Sequence, residues 1–310
     1  MQSKYVVKYG HQGDLVFLIQ DLLGLIKDGK FDHKTKTAVE TFQRRHDLVP
    51  DGVVGPMTWL ALGHNPLEIE ADTDAVTSAT WIEQYNLPEG EYVKSKTSKK
   101  WIILHHTSGL HNPYKVIDEW AKDQRGRVGT HYVIGGLPIS ADINNLSEKQ
   151  SQYDGKILQA IPDQYWAYSL GSVKSSLFHN KSLNIELCSA GKLTEKNGEY
   201  FTWYGAKVHP SQVVRLETPF KDHRYFHKYS GEQLDSLKAL LLLLKEKHDI
   251  DLSKCLLEDL KTFNVLSFDY RPNYNHNSHP SGLMTHGQLK EDKFDLFPQP
   301  ELVDMLLKLR

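Results

Sequence analysis

Leu183-Asn184-Ile185-Glu186-Leu187-Cys188 decides the fold of the larger part of this chain. Its alternation reads as a strand, with Leu183, Ile185 and Leu187 on one face and Asn184, Glu186 and Cys188 on the other. Glu186 is thereby aimed away from the core. Upstream, Trp101-Ile102-Ile103-Leu104 is a second strand candidate, ending at His105-His106. His131-Tyr132-Val133-Ile134 is a third, closed by Gly135-Gly136. Downstream, Ser230-Gly231-Glu232-Gln233 reads as a capping box. It opens a helix with Leu234, Leu237, Leu241 and Leu244 at helical spacing and Lys245, Lys247 and His248 at its end. That helix is expected to cover a sheet face, and Pro300–Leu307 is expected to form the last helix. Strands alternating with helices beyond Lys96 predict an α+β or α/β class: a mixed β-sheet flanked by helices.

The chain has 310 residues, and at roughly 150 per domain that suggests two domains. Apolar residues at 39% and charged residues at 25% are ordinary for a globular protein. Thirty-seven Lys and Arg against 39 Asp and Glu leave a formal charge of −2, too little basic field for nucleic acid as the main partner. Cys188 and Cys255 are the only cysteines, so no disulfide framework is expected. Met1-Gln2-Ser3-Lys4-Tyr5 lacks the apolar core of a signal peptide, and the run Leu240–Leu244 is far short of the ~20 residues of a membrane span. A monomer made in the cytoplasm, without membrane insertion, is expected. The 16 histidines favour metal or proton chemistry and also guarantee chance pairs.

The first part of the chain repeats itself. Asp28-Gly29-Lys30-Phe31-Asp32-His33-Lys34-Thr35 and Asp51-Gly52-Val53-Val54-Gly55-Pro56-Met57-Thr58 share Asp-Gly-x-apolar-x-x-x-Thr. Each copy is a turn leading into a helix, and Pro56 suits a first helical turn. Leu15, Leu18, Ile19, Leu22 and Ile26 form one apolar stripe, and Ala38, Val39 and Phe42 form another. Three short helices sharing a small core are expected over residues 1–62. Gly13-Asp14, Leu18-Ile19-Gln20, Asp28-Gly29, Thr35, Ala38-Val39, Phe42-Gln43, Asp51-Gly52-Val53-Val54-Gly55 and Thr58-Trp59 closely resemble the peptidoglycan-binding domain 1 family. The resemblance covers residues 5–62 and implies targeting to cell-wall glycan. Asp32 stands where that family has glycine, which implies a distorted first turn. Residues 63–95 carry seven acids against Lys94 and read as an acidic, solvated linker, part of which Trp81, Ile82 and Tyr85 could dock.

Three features bear on zinc. His105 ends a strand, His286 lies in Gly282-Leu283-Met284-Thr285-His286-Gly287, and Asp295 follows in Lys293-Phe294-Asp295-Leu296-Phe297-Pro298. Two imidazoles and one carboxylate leave tetrahedral zinc a fourth position for water. Among so many histidines such a trio is not specific by itself; the order of motifs is. Ile103-Leu104-His105-His106-Thr107, Thr130-His131-Tyr132-Val133-Ile134-Gly135, Ser182-Leu183-Asn184-Ile185-Glu186-Leu187 and His286 with Lys293-Phe294-Asp295 follow one another in the order seen in one family. They resemble the zinc-dependent N-acetylmuramoyl-L-alanine amidases, the type 2 amidases, whose fold is shared with peptidoglycan recognition proteins.

That resemblance spans residues 96–310. It implies that His105, His286 and Asp295 hold zinc, that Glu186 is the general base and that Lys293 stabilises the oxyanion. It also implies bacterial peptidoglycan, both glycan strands and stem peptides, as the partner. With the N-terminal unit and the lack of a signal peptide it suggests a phage endolysin, or else a contact-delivered effector, acting on the wall in the periplasm or outside the cell after release or delivery. A noncatalytic peptidoglycan recognition module and a zinc peptidase cutting within the stem peptide are the alternatives.

His106 is the rival of His105 as ligand. His131 is read as structural or as supporting a ligand. His223 and His227, four apart, could chelate metal on a helix, but they precede the capping box in Tyr-rich sequence and are given a cleft or surface role. His276 and His279 are placed in a loop near His286, and Cys188 is read as a small buried side chain. Tyr168 stands where many relatives have histidine. The 100-residue interval from Glu186 to His286 is long for the family and is expected to hold an insertion at the cleft rim.

Overall fold

The computed structural model describes residues 6–12, 14–63, 81–171, 176–275, 277 and 279–309. His276 and the expected linker acids Glu68, Glu70, Asp72 and Asp74 lie outside them. The chain divides into two compact units, Met1–Glu83 and Gln84–Arg310.

The first unit holds α1 (Asp14–Leu22), α2 (His33–Arg45) and α3 (Pro56–Ala61). Val16, Ile19, Val39 and Trp59 meet Val7, Phe31 and Val54 in one buried cluster. The sequence repeat is a repeat of hydrogen bonds. Gln20 Nε2 lies 2.8 Å from Asp28 Oδ1, 3.1 Å from the Lys30 carbonyl and 3.2 Å from Thr35 Oγ1, while Gly29 N–H donates to Gln20 Oε1 at 2.9 Å. In the second copy Gln43 Nε2 lies 2.8 Å from Asp51 Oδ1, 2.9 Å from the Val53 carbonyl and 3.1 Å from Thr58 Oγ1, and Gly52 N–H donates to Gln43 Oε1 at 2.9 Å. One buried amide thus satisfies a whole Asp-Gly turn in each copy. The turn glycines have φ of +68° and +72°, a region where a side chain is strained.

The distortion expected from Asp32 does not occur. Its carboxylate accepts the Thr35 N–H at 2.9 Å and caps α2, whereas Gly55, at the same place in the second copy, makes no side-chain cap. Gln43→Ala is expected to strip the second turn of its partners at a cost of about 1–3 kcal/mol. Amide hydrogen exchange at Gly52 and Val53 would report this as faster exchange, and unchanged protection would show that the amide is dispensable.

The second unit opens with β1 (Ile82–Gln84), which straddles the division, followed by β2 (Trp101–His106), α4 (Pro113–Trp120), β3 (Tyr132–Ile134), α5 (Glu148–Ser151), β4 (Ile157–Gln159), α6 (Ser176–Asn180) and β5 (Ser182–Leu187). Next come β6 (Lys192–Lys196), β7 (Glu199–Phe201), β8 (Lys207–Val208), β9 (Val213–Phe220) and β10 (His223–His227). The chain ends with α7 (Gly231–His248), α8 (Leu256–Phe263), β11 (Gly282–Thr285), α9 (His286–Leu289) and α10 (Pro300–Leu307).

The expected mixed sheet flanked by helices is present, with strand order β1-β4-β3-β5-β2-β11. β11, β2, β5 and β3 run parallel and β4 antiparallel to β3. Cys188, expected beside the outward-aimed Glu186, is fully buried with Val116, Ile117 and Val133, because α4 covers that face too. Parallel strands are buried on both sides, so alternation here separates two interiors rather than core from solvent. The capping box of Ser230 and Gln233 forms, and Leu234, Leu237, Leu240, Leu241 and Leu244 of α7 are buried. Each contributes about 1.5–3 kcal/mol on burial.

One expectation needs correction. The solvated linker does not extend to residue 95: Leu87 and Tyr92 are buried in the second unit, Leu87 N–H donates to the Ala160 carbonyl at 2.9 Å and Val93 N–H to the Trp166 carbonyl at 2.7 Å. The insertion after Glu186 is a second sheet, antiparallel, of order β8-β7-β6-β10-β9. His223 and His227 therefore lie on a strand and not on a chelating helix turn. Among the described residues no helix is long and apolar enough to cross a membrane.

Candidate metal centre

The parallel register assembles the site. His105 pairs with Glu186 across β2 and β5, two positions after Ile103 pairs with Asn184. On the other side of β2, Thr285 pairs with Leu104, so His286, the next residue, arrives level with His105. Thr285 and Gln288 form a capping box that turns the chain into α9 directly at His286. Asp295 comes from the loop between α9 and α10.

His105, His286 and Asp295 are buried together. His105 Nδ1 lies 3.1 Å from His286 Nδ1, Asp295 Oδ2 lies 2.9 Å from His286 Nδ1, and the third edge, His105 Nδ1 to Asp295 Oδ2, is 3.3 Å. Donors about 2.0–2.1 Å from a tetrahedral zinc ion stand roughly 3.3 Å apart, so the triangle has the size of one face of such a site.

The outer ring nitrogens decide which lone pairs face inward. His105 Nε2 donates to Asn184 Oδ1 at 2.9 Å, and the Asn184 amide is itself oriented by its Nδ2 donating to Ser182 Oγ at 2.8 Å. His286 Nε2 donates to the Leu170 carbonyl at 3.3 Å. With both protons on the outer nitrogens, two Nδ1 lone pairs and a carboxylate converge, a donor set that suits a divalent cation.

Charge follows this geometry. Burial pushes the His286 pKa down. In His105 burial acts the same way, but Asp295 and Glu186 outweigh it and the pKa rises. Burial would raise Asp295, yet His286 and His105 hold it well below the usual carboxylate range. Glu186 is pushed up to about 7, mainly by burial, against the lowering effect of His105 and Lys293. The charge of Lys293 is thus felt at Glu186 and at His286.

The other candidates lie elsewhere. His106 points to the opposite face, where its Nδ1 is 2.8 Å from the Tyr229 hydroxyl and burial lowers its pKa to about 4. His131 accepts the Asn184 N–H on Nδ1 at 3.1 Å and donates from Nε2 to the Tyr165 carbonyl at 3.0 Å, so it supports the strand that carries Glu186. His227 is locked between Ser189 Oγ and Gln212 Oε1. His279 packs its ring on Tyr274 at 3.9 Å. Tyr168 is half-exposed between Trp166 and His179.

Asn184 was missed as a participant, although a polar residue alternating with Glu186 on a strand was a signal for it. On the surface, Trp203 Nε1 donates to the Ser108 carbonyl at 2.7 Å while 69% of Trp203 stays exposed. Tyr204 stands edge-on to it at 5.3 Å. An exposed aromatic pair therefore lies beside the loop that follows His106.

Among curated proteins, 37 residues are 51% identical to an uncharacterized protein in bpoA1 3'region of Kitasatospora aureofaciens, covering 12% of this chain and 31% of that protein. The match thus spans less than a third of that relative's length. Among solved structures, PlyL is similar at 10% identity and TM-score 0.40, over 74% of this chain and 98% of that one. A selenomethionine AmpD derivative is similar at 13% identity and TM-score 0.37, over 73% and 94%. The N-acetylmuramyl-L-alanine amidase AmiD from E. coli, in complex with anhydro-N-acetylmuramic acid-L-Ala-D-gamma-Glu-L-Lys, is similar at 16% identity and TM-score 0.36, over 68% and 59%. Residues 16–62, which contain both Asp-Gly turns, match the family described as putative peptidoglycan binding domain.

Proposed function

We propose that this chain is a peptidoglycan hydrolase: a zinc-dependent N-acetylmuramoyl-L-alanine amidase that cleaves the amide between the lactyl group of N-acetylmuramic acid and L-alanine of the stem peptide. The observation that carries the reading is the convergence of His105 Nδ1, His286 Nδ1 and Asp295 Oδ2 within 2.9–3.3 Å, with Glu186 in register beside His105. The motif order and the match of residues 16–62 to putative peptidoglycan binding domains support the choice of polymer.

His105, His286 and Asp295 would hold the zinc ion, which when bound polarises a carbonyl and makes water more acidic. Glu186 takes the proton of the attacking water and passes it to the leaving nitrogen, two tasks that suit a carboxyl whose pKa is about 7. The carbon–nitrogen bond breaks, a carbon–oxygen bond forms, and the amine of L-alanine leaves with the transferred proton. Lys293 offsets the negative charge that builds on the carbonyl oxygen. Mass spectrometry of digested muropeptides tests the bond: free stem peptides beginning at L-Ala are expected, and shortened peptides still attached to sugar would replace this reading with a stem-peptide peptidase.

The first unit serves as the wall-binding part and raises the local substrate concentration for the second. Removing residues 1–62 is expected to weaken sedimentation with whole walls by about 10-fold or more while cleavage of soluble fragments persists. Equal loss on both substrates would mean that the first unit is integral to catalysis. The same pairing suits an endolysin, and rapid lysis of walls exposed to the purified chain is the corresponding expectation.

A further inference from the structure

Nothing in that reaction uses the five-stranded sheet formed by residues 192–227, yet this sheet holds the segment that carries Lys293 and Asp295. Lys221 lies in the turn between β9 and β10, with φ of +47°. Its ammonium donates to the Glu291 carbonyl at 2.9 Å and the Lys293 carbonyl at 2.6 Å, and stands 3.6 Å from Asp269 Oδ1. Phe294 is held between Lys192, whose Nζ lies 4.1 Å over the ring centroid, and His223, edge-on at 5.2 Å. Phe297 is stacked on Phe226 at 4.4 Å and on Tyr229 at 4.6 Å. Asp295 is thus flanked by two clamped aromatic rings, and the main chain two residues before it is tied to the same sheet.

The physical need is plain. His105 and His286 stand at strand ends, where the ladder of the main sheet positions them. Asp295 stands in a loop, and ordering a loop residue costs about 1–2 kcal/mol. A ligand on a free loop would subtract that cost from every binding event, whereas a ligand on a braced loop is already in place. The Lys221 side chain is only 10% exposed; burial lowers its pKa and the Asp269 carboxylate opposes that shift. Ammonium bonds to main-chain carbonyls are among the stronger hydrogen bonds.

We propose that the second sheet is a brace for the metal centre and that Lys221 is its main positioning residue, setting Asp295 for zinc and Lys293 for the substrate carbonyl. The inference rests on the reading of His105, His286 and Asp295 as the zinc site. It is tested on the full chain by titrating zinc against a chromophoric chelator, with kcat and KM measured in parallel. Lys221→Met is expected to raise the zinc Kd about 10–100-fold, as for residues that orient ligands. Its kcat should fall more than KM rises, and the melting temperature of the zinc-free chain should stay near that of the parent.

Lys221→Arg, which keeps a cation able to reach both carbonyls, should restore most of the affinity. If Lys221→Met does not fold, Phe294→Leu keeps apolar bulk, loses both ring contacts and is expected to weaken zinc several-fold. A parent chain that binds one zinc, with variants that bind it within twofold of the parent, would overturn the brace. A parent chain whose zinc uptake is unaffected by His286→Ala would overturn the metal site itself, and the brace with it.

Discussion

Purified His286→Ala protein is expected to carry no zinc after dialysis, against one ion per chain in the parent, with atomic emission as the measurement. His286 is the donor in the middle of the chain of contacts, 3.1 Å from His105 Nδ1 and 2.9 Å from Asp295 Oδ2. Its loss leaves one imidazole and one carboxylate, whose separation of 3.3 Å is already that of a hydrogen-bonded ion pair. Protonation of His105 at Nδ1 then satisfies Asp295 without any metal, and its pKa is already raised in that direction. The fall in affinity should exceed the roughly 10–100-fold that follows when only an orienting partner is removed. Asp295→Ala should lose the ion for the complementary reason, since two neutral imidazoles supply no charge. Equal zinc content in parent and His286→Ala chains would refute the assignment.

Glu186→Gln is expected to retain zinc and lose turnover by about 10²–10⁴-fold, the usual contribution of a positioned general base. The substitution keeps the shape of the side chain and its place beside His105 in the sheet register. What it removes is the capacity to accept a proton from water and return it to the leaving nitrogen. Because burial has raised the Glu186 carboxyl to about 7, the parent side chain is partly neutral near that pH, and a neutral amide in the same place should be accommodated without refolding the strand. Single-turnover cleavage of a soluble muropeptide measures the rate and metal analysis checks the zinc. Turnover within tenfold of the parent would show that Glu186 is not the base.

These two experiments separate holding the ion from moving the proton, and the two functions were legible to different degrees. The strand carrying Glu186 and the apolar run ending at His105 follow from period-2 patterning, and α7 from its capping box and leucine spacing. The choice of His105, His286 and Asp295 out of 16 histidines and 39 acids came from the order of motifs, not from spacing. Patterning alone did not separate His105 from His106, since adjacent strand residues differ only in face. The structure sends one toward Asp295 and the other toward the Tyr229 hydroxyl.

Other features lay beyond a local reading. Gln20 and Gln43 look like ordinary polar helix residues until each is found closing a turn eight and more residues away. The acidic stretch read as solvated linker ends earlier than its composition suggests, because Leu87 and Tyr92 find partners in the second unit that only its folding creates. The second sheet was visible as length without form. Its short strands each bury at most two side chains, such as Leu193, Val208, Leu216, Phe220 and Phe226, and no local signal marks which strand pairs with which.

By itself, then, the amino-acid order determined the elements whose cause is local: alternation for strands, helical spacing with caps for helices, Asp-Gly for turns. Tertiary structure decided everything that depends on bringing distant chain segments to one place. Asn184 became the acceptor that turns the His105 lone pair inward, and Lys221 became an anchor for the loop of Asp295, across 79 and 72 residues of chain respectively. Backbone preferences act over a few residues, whereas the direction of a lone pair or the hold on a loop is fixed by whichever groups closure of the sheets places beside it.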